Sequence, residues 1–562
     1  MTRRAFLVLA TVVISSLALQ AGNAPIRAKQ GLVITQSGIA SEIGFQVIRD
    51  GGNAVDAAVA TALAMAVTHP TAGNIGGGGF IVYRSAAGEA TTFDFREMAP
   101  AGSNPEMWLV NGKYDSQLHH NSHRAVGVPG TVAGLHLAWK TYGSKPWKDL
   151  VEPSVKLARD GFEMSDGLAR SLARMVETAF TKYPASLAQF SKNGTPYEAG
   201  ELFKQPDLAR SLQRIADHGP AGFYEGETAA LIEKEMKANG GLITREDLKN
   251  YQAKQRAPIK GTYRGYEIIG MPPPSSGGIS VQLILNILEG YDLKANGAGS
   301  AQNLHLMAES MRRAFAERAQ HLADPDFVKT MPVDRLISKD YAAQLRKTIN
   351  PSQASKSSPT TFTFTTESPE TTHISIVDAQ RNAVSLTYTL EAGYGSKIVV
   401  PGGGFLLNNE MGDFNAGPGL TNENGLIGTD PNLAQPGKRM LSSMSPTIIA
   451  KDGKLFMVTG TPGGRTIINT VLQTILNVID FGMNAQEAVD YGRMHHQWLP
   501  DRISYEEHGF SPDTIAILKK MGHTVQPGGN QGADQVIVVN PEDGWLEGGL
   551  DRRPPDGGAA GK

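Results

Sequence analysis

Residues 370–378 read Glu370-Thr371-Thr372-His373-Ile374-Ser375-Ile376-Val377-Asp378, two threonines at the doorway of an alternating β sequence. Alternation of apolar and polar residues over His373 to Asp378 gives the period of two that a strand requires. A threonine hydroxyl inside a chain is a poor nucleophile. If the bond before Thr371 were cut, the residue would gain a free α-amine two bonds from its Cβ. An α-amine titrates at about 7.7–8.0, so a useful fraction is neutral at physiological pH and can act as base.

Downstream, Ala383 to Leu390 forms a second alternating run, joined to the first by the polar turn Ala379-Gln380-Arg381-Asn382. The pair reads as a hairpin. Pairing Asp378 with Ala383 sets Thr371 opposite Leu390, with Thr389 and Glu391 one residue to either side. Further strands are expected at Phe405 to Asn408, Thr447 to Ala450 and Leu455 to Gly460, the last two joined by Lys451-Asp452-Gly453-Lys454. Gly463-Gly464 then opens a helix from about Thr466 to Asp480. The tail after Leu550 is rich in Pro and Gly and reads as disordered.

Upstream, Ser41 to Asp50 and Ala54 to Val67 read as helices separated by the stop and restart Gly51-Gly52-Asn53. The second is small and apolar nearly all round and is expected to be buried. Gly76 to Gly79 leads into strands at Phe80 to Arg84 and Thr91 to Phe95. The middle third is helical in pattern (Trp147 to Asp160, Asp207 to His218, Thr228 to Lys237). Three prolines make Met271 to Gly278 irregular. A long helix runs from about Ser300 to Ala323. From Ile349 to Pro369 the chain is rich in Thr, Ser and Pro and reads as an exposed, flexible approach to Thr371.

The bulk composition narrows the function. The 562 residues carry a formal charge of −2 with no long run of either sign, which argues against nucleic acid as a partner. Cysteine is absent, excluding disulfides, a thiol nucleophile and thiolate metal sites. The 63 glycines exceed ordinary usage and indicate tight turns and close backbone approaches. Thr2-Arg3-Arg4, the apolar run Ala5 to Leu19 and the small residues Ala21, Gly22 and Ala24 form a leader too short to span a bilayer comfortably. Residues 1–24 are therefore expected to be a signal peptide, with an uncleaved anchor as the alternative. Arg3-Arg4 also loosely fits a twin-arginine signal.

Several clusters invite chemistry. Gly76 to Gly79 lacks the Lys-Ser/Thr of a phosphate loop and precedes a strand, so close backbone packing is the better reading. His495-His496 and His69 show no metal-ligand spacing, and adjacent residues on a strand face opposite ways; structural histidines are expected. Gly463-Gly464 offers two unhindered N–H groups for an oxyanion, or a simple strand-to-helix turn. Arg96 fits a carboxylate anchor or a structural ion pair. Ser442-Ser443-Met444-Ser445-Pro446 is ambiguous alone.

Taken in order, these stretches resemble the gamma-glutamyltransferase (gamma-glutamyltranspeptidase) family of bacterial exported type. The similar segments are Val67 to Gly79, Asp94 to Pro100, Met271 to Gly278, Thr371-Thr372-His373 with Thr387-Tyr388-Thr389, Leu407 to Phe414, Arg439 with Ser442 to Pro446, Gly463-Gly464, and His495 to Pro500. They span roughly residues 28 to 545.

The resemblance implies an α+β fold, a four-layer αββα sandwich of the N-terminal-nucleophile hydrolase type. It implies self-cleavage into a large subunit (25–370) and a small catalytic subunit (371–562) that stay together as a heterodimer. Thr371 would be the nucleophile, Thr389 its hydrogen-bonding neighbour, and Gly463 and Gly464 the oxyanion hole. Arg96, Ser442 and Ser443 would hold the donor's α-carboxylate; Asp413, Glu410 and Glu391 would hold its α-ammonium. The implied substrates are glutathione and other gamma-glutamyl compounds, with amino acids, peptides or water as acceptors. No cofactor, metal, nucleic acid or membrane is expected of the mature protein, which would be periplasmic or secreted.

Two positions depart from the family pattern. Position 391, often Asn, is Glu391. The segment Asn415 to Lys438 has the length of a lid, but Asn424 stands where some members carry an aromatic gate. Two competing functions are a relative tuned to glutaryl side chains, and a non-catalytic exported binding protein retaining the fold.

Overall fold

The computed structural model describes residues 23–358, 371–420 and 428–562. Most of the expected leader, the approach to Thr371 from 359 onward, and Asn424 lie outside the described residues.

The sequence around Thr371 forms the centre of a seven-stranded antiparallel sheet. Its strands run in the order Gly558–Gly561, Leu32–Thr35, Thr372–Val377, Ala383–Thr389, Gly78–Arg84, Ala90–Phe95 and Lys254–Arg256. A second antiparallel sheet of seven strands stacks on it, ordered Ile26–Ala28, Leu546–Leu550, Gln535–Val539, Lys454–Gly460, Thr447–Lys451, Tyr266–Gly270 and Ile259–Tyr263.

Alternation along the strands decides what each face meets. Ile374, Ile376, Val384, Leu386 and Tyr388 point to one side, into a core shared with the helices Gly38–Arg49 and Ala54–Thr68. Their neighbours point to the other sheet, where Ser375 donates to the Gln535 carbonyl at 2.8 Å and Ser385 to the Thr459 carbonyl at 2.9 Å. Helices Gly277–Leu288, Ala301–His321 and Thr466–Ile479 share a core with the second sheet. Helix, sheet, sheet and helix thus form four layers, as an αββα sandwich requires.

Helix Ala54–Thr68 is wholly buried, and a capping box starts it, with Asn53 and Asp56 each satisfying the other's backbone amide. Gly77 shows why glycines precede the strand Gly78–Arg84. A Cβ there would fall 2.0 Å from the Thr389 carbonyl oxygen. Asn74 donates to that same oxygen at 2.9 Å and accepts the Gly77 amide, so the glycine run grips the end of the strand that carries Thr389.

Four local readings change. The hairpin register differs by one: Val377 pairs with Ala383, and Thr372 with Tyr388. Asp378 leaves the ladder to cap its own turn, its carboxylate accepting the amides of Gln380, Asn382 and Ala54. Arg381 takes φ +74°, giving the three-residue loop in which a type I turn is followed by a left-handed residue. Continuing the register one step sets Thr371 opposite Thr389 rather than Leu390.

Phe405 to Asn408 is not a strand; only Leu406 pairs, with Val399. Asn408 instead donates to the carbonyls of Gly76 and Gly127 and accepts the amides of Gly127 and Glu410, tying three loops together.

The tail after Leu550 is ordered. Gly558–Gly561 forms an edge strand on Leu32–Thr35, because residues without bulk fit between that strand and the helix Gly38–Arg49. Finally, the approach to Thr371 is pinned as far as Ser357: Ile349 is buried, and the amides of Ser355 and Ser357 donate to Glu309 and Asp501.

Candidate active site

Thr371 immediately precedes the strand Thr372–Val377, and Thr389 ends the neighbouring strand, so the ladder sets the two side by side. Both are buried. The Glu391 amide donates to Thr389 Oγ1 at 2.8 Å, which fixes the lone-pair side of that hydroxyl and turns its hydrogen elsewhere. Glu391 itself sits at φ +78°, a left-handed conformation uncommon outside glycine and concentrated at functional sites. Its carboxylate accepts from the Asn409 amide group.

A pocket opens beside Thr371, lined also by Arg96, Thr389, Glu391, Glu410, Asp413, Ser442, Ser443, Met444, Gly464 and Ile467. All the site residues expected from sequence meet here except Gly463, which adjoins Gly464 but does not line the wall.

Gly463 and Gly464 take φ of +135° and +54° just before the helix Thr466–Ile479. Thr466 holds the turn through both its amide and its hydroxyl to the Gly463 carbonyl. The amide N–H groups of Gly463 and Gly464 have no acceptor among the described residues. Two orphan donors at a helix start beside a pocket suit an anionic oxygen.

The loop bearing Ser442 and Ser443 is stitched to the irregular segment Met271 to Gly278. Ser442 donates its amide to the Pro274 carbonyl at 2.9 Å, and its carbonyl accepts the Ser276 amide at 2.7 Å.

Arg96 follows the strand Ala90–Phe95 and is fully buried. It bonds Glu410 through Nη1 and Asp413 through Nη2, and Nε donates to the Met440 carbonyl at 3.2 Å. Glu410 and Asp413 come from a single turn of 3-10 helix, Glu410–Asp413, which brings both carboxylates to one guanidinium.

Glu97, which sequence reasoning passed over, lies 3.7 Å from Arg96 Nη1 and is wholly buried. Neither of its carboxylate oxygens meets a hydrogen-bond donor among the described residues, and it stands beside Glu410. Three carboxyls, Glu97, Glu410 and Asp413, thus crowd one arginine, and a fourth, Glu391, lines the same pocket and acts on Glu410. Burial pushes Glu97 and Glu410 above the ordinary carboxylate range; Arg96 opposes this, while repulsion from Asp413 raises both, and Glu97 and Glu391 add to it at Glu410. No local pattern marks Glu97 out from an ordinary charged residue at a strand end.

His495 and His496 are occupied structurally. His495 meets Asn469 and Gln497, and His496 meets Asp501 and the Trp498 amide. His305, Glu309 and His523 bring ligand-type atoms within 4.8 Å of one another. Arg312, Arg313 and the Ser355 amide already hold the Glu309 carboxylate, so this trio anchors the segment leading towards Thr371.

The stacked antiparallel sheets between helical layers, with a threonine at the head of a central strand facing an oxyanion-type turn, define an N-terminal-nucleophile hydrolase. Residues 40–561 match the family model described as gamma-glutamyltranspeptidase. The chain is 49% identical to the glutathione hydrolase proenzyme of Escherichia coli (strain K12), covering 96% of this chain and 93% of that one. Among solved structures, it is similar to cephalosporin acylase from Bacillus halodurans (TM-score 0.86, 27% identity, 98% of this chain and 99% of that chain). It is also similar to a chain of Helicobacter pylori gamma-glutamyltranspeptidase (TM-score 0.55, 48% identity), which covers 56% of this chain while 91% of that chain is matched. The chain belongs to the gamma-glutamyltranspeptidase family and is an enzyme of that kind.

Proposed function

We propose that this enzyme cuts itself before Thr371 and then uses Thr371 to transfer gamma-glutamyl groups from glutathione and related donors to amino acids, peptides or water. The observation that carries this reading is the convergence of a hydroxyl nucleophile, the Gly464 end of an amide-bearing turn and a cation–anion cluster on one pocket.

In processing, the Thr371 hydroxyl attacks the Glu370 carbonyl carbon. The peptide C–N bond breaks, the amine takes the proton, and the acyl group rests on Oγ1 as an ester. Water then hydrolyses the ester, leaving subunits 25–370 and 371–562 held together by the fold. In turnover, the freed amine takes the hydroxyl proton, directly or through a water, as Oγ1 attacks the donor's γ-carbonyl. The Gly463 and Gly464 amides stabilise the developing oxyanion, and Thr389 orients the hydroxyl. The leaving amine departs with a proton, and an acceptor or water releases the acyl group.

Specificity comes from the amino-acid head group. Ser442, Ser443 and Arg96 receive the α-carboxylate; Glu391, Glu410 and Asp413 receive the ammonium. Opposite charges at the two ends fix the γ-carbonyl over the nucleophile. The leader 1–24 supports export to the periplasm or beyond; among the described residues no helix is long and apolar enough to cross a membrane.

A glutaryl acylase is the second reading, favoured by the likeness to cephalosporin acylase. A glutaryl group has no ammonium, and the four carboxyls argue against it. Turnover of a gamma-glutamyl anilide should exceed that of the matching glutaryl anilide by about 100-fold or more, because a glutaryl group forfeits the charge-assisted contacts that the carboxyls would make to an ammonium. Equal turnover would remove the gamma-glutamyl reading.

The proton-holding cluster also sets a pH dependence. The donor-bound site holds fewer protons than the empty one, so donor affinity rises with pH. Because burial lifts Glu97 to about 8 and Glu410 well above its ordinary range, the loss begins near pH 8 rather than only near the ordinary carboxylate range. Donor KM should climb steadily as pH falls from 8 to 4; a KM flat across that range contradicts the assignment.

A further inference from the structure

Arg318 lies behind the pocket wall, in the last turn of the helix Ala301–His321, and is 2% exposed. Nε donates to Ser276 Oγ at 2.8 Å and Nη2 to Ser443 Oγ at 3.0 Å. A guanidinium carries donors only, so both serine oxygens must accept and their hydroxyl hydrogens must point away from it. Ser276 sends its hydrogen to the Ser442 carbonyl at 2.6 Å, the same oxygen that takes the Ser276 amide. Ser442 Oγ in turn accepts the Met444 amide at 3.1 Å, which directs its own hydrogen away from that backbone. One buried guanidinium thus fixes the hydroxyl polarity of Ser443 directly and the place of Ser442 through Ser276.

Arg96 supplies only part of what an entering anion needs. Its N–H groups are already directed at Glu410, Asp413 and the carbonyls of Met440 and Leu441. An anion entering the pocket needs donors that do not also face carboxylates, and Ser442 and Ser443 are the side-chain hydroxyls lining the wall away from the Thr371–Thr389 pair.

We infer that Arg318 is a positioning residue for the donor's α-carboxylate: it polarises and orients the Ser443 hydroxyl as an O–H donor, holds the Ser442 backbone in place through Ser276, and sets a positive charge one hydroxyl behind the anion. This rests on the reading above that the serine pair receives the carboxylate.

The test compares gamma-glutamyl anilide with its α-carboxamide counterpart on mature wild type, Arg318→Met, Arg318→Lys, Ser443→Ala and the Arg318→Met/Ser443→Ala double variant. Arg318→Met is expected to raise KM for the carboxylate donor about 10- to 50-fold, with kcat within about threefold and little change for the carboxamide. Arg318→Lys should recover part of the loss. In the Ser443→Ala background the Arg318→Met effect should shrink to about threefold or less, because the two groups act on one interaction. Where Arg318→Met yields no folded enzyme, Arg318→Lys and Ser276→Ala carry the same comparison, each selectively weakening the carboxylate donor. Equal losses on both donors, or an undiminished effect without Ser443, overturn the inference. A wild type that fails to discriminate the two donors removes the carboxylate subsite itself, and Arg318's role with it.

Discussion

Thr371→Ala is expected to yield a single uncut chain with no measurable turnover. The hydroxyl that attacks the Glu370 carbonyl and the hydroxyl that carries the acyl group are one atom, so its removal abolishes both reactions together. No nearby hydroxyl is a substitute. Thr372 is one residue along the strand and points to the opposite face, and the Thr389 oxygen is fixed by the Glu391 amide. Thr371→Ser keeps hydroxyl and amine but loses the methyl that restrains the side-chain rotamer, so it should process slowly and then turn over. Intact mass and N-terminal sequencing read the outcome. A Thr371→Ala chain that is still cut, or a wild-type cut at another bond, would falsify the mechanism.

Arg96→Gln is the second large effect. The substitution leaves Glu410 and Asp413 buried without their guanidinium and removes the charge that opposes repulsion at Glu97. Breaking a buried ion pair on one side costs about 3–5 kcal/mol. On activity, kcat/KM for a gamma-glutamyl anilide should fall by about 10²- to 10³-fold, since charge, geometry and the carboxylate contact are lost together. The sign of the pH dependence is diagnostic. Without Arg96, Glu97 and Glu410 are raised further above their unfolded values, so the folded state gains stability as they protonate. The deficit should be largest at neutral and alkaline pH and shrink toward pH 5. Equal Tm deficits at pH 5 and pH 8 would show that the cluster does not set stability.

Local signals in the sequence sufficed wherever a single element determined its own structure. The small apolar run Ala54 to Val67 could only be a buried helix, and Lys451-Asp452-Gly453-Lys454 could only be a tight turn. The hairpin after Thr371 shows the limit. Its strands are legible from alternation, but its register depends on Asp378 turning inward to cap a helix from a distant part of the chain. Gly558–Gly561 carries no side-chain pattern at all; it is a strand because Leu32–Thr35 has an open edge beside a closely packed helix. At the site, the motifs lying on loops next to glycine or proline were readable, and Arg96, Thr371 and the serine pair meet in one pocket. Glu97 and Arg318 were not readable. Each acts through a neighbour, and neither sits in a local pattern that distinguishes it from an ordinary charged residue on a strand end or helix.

The order of strands in the sheet around Thr371 also bears on the life of the enzyme after cutting. Gly558–Gly561, Thr372–Val377 and Ala383–Thr389 lie downstream of the bond proposed to be cut, while Leu32–Thr35, Gly78–Arg84, Ala90–Phe95 and Lys254–Arg256 lie upstream, and the two sets interdigitate. The second sheet is mixed in the same way. The proenzyme closes these pairings within one polypeptide, where the effective concentration of each partner is set by the loops between them. Once cut, the same pairings would have to be found by two separate molecules, each exposing unpaired strand edges. The mature enzyme would thus be a product of its own history: durable while folded, because neither piece can leave without dismantling both sheets, and poorly able to reassemble once unfolded.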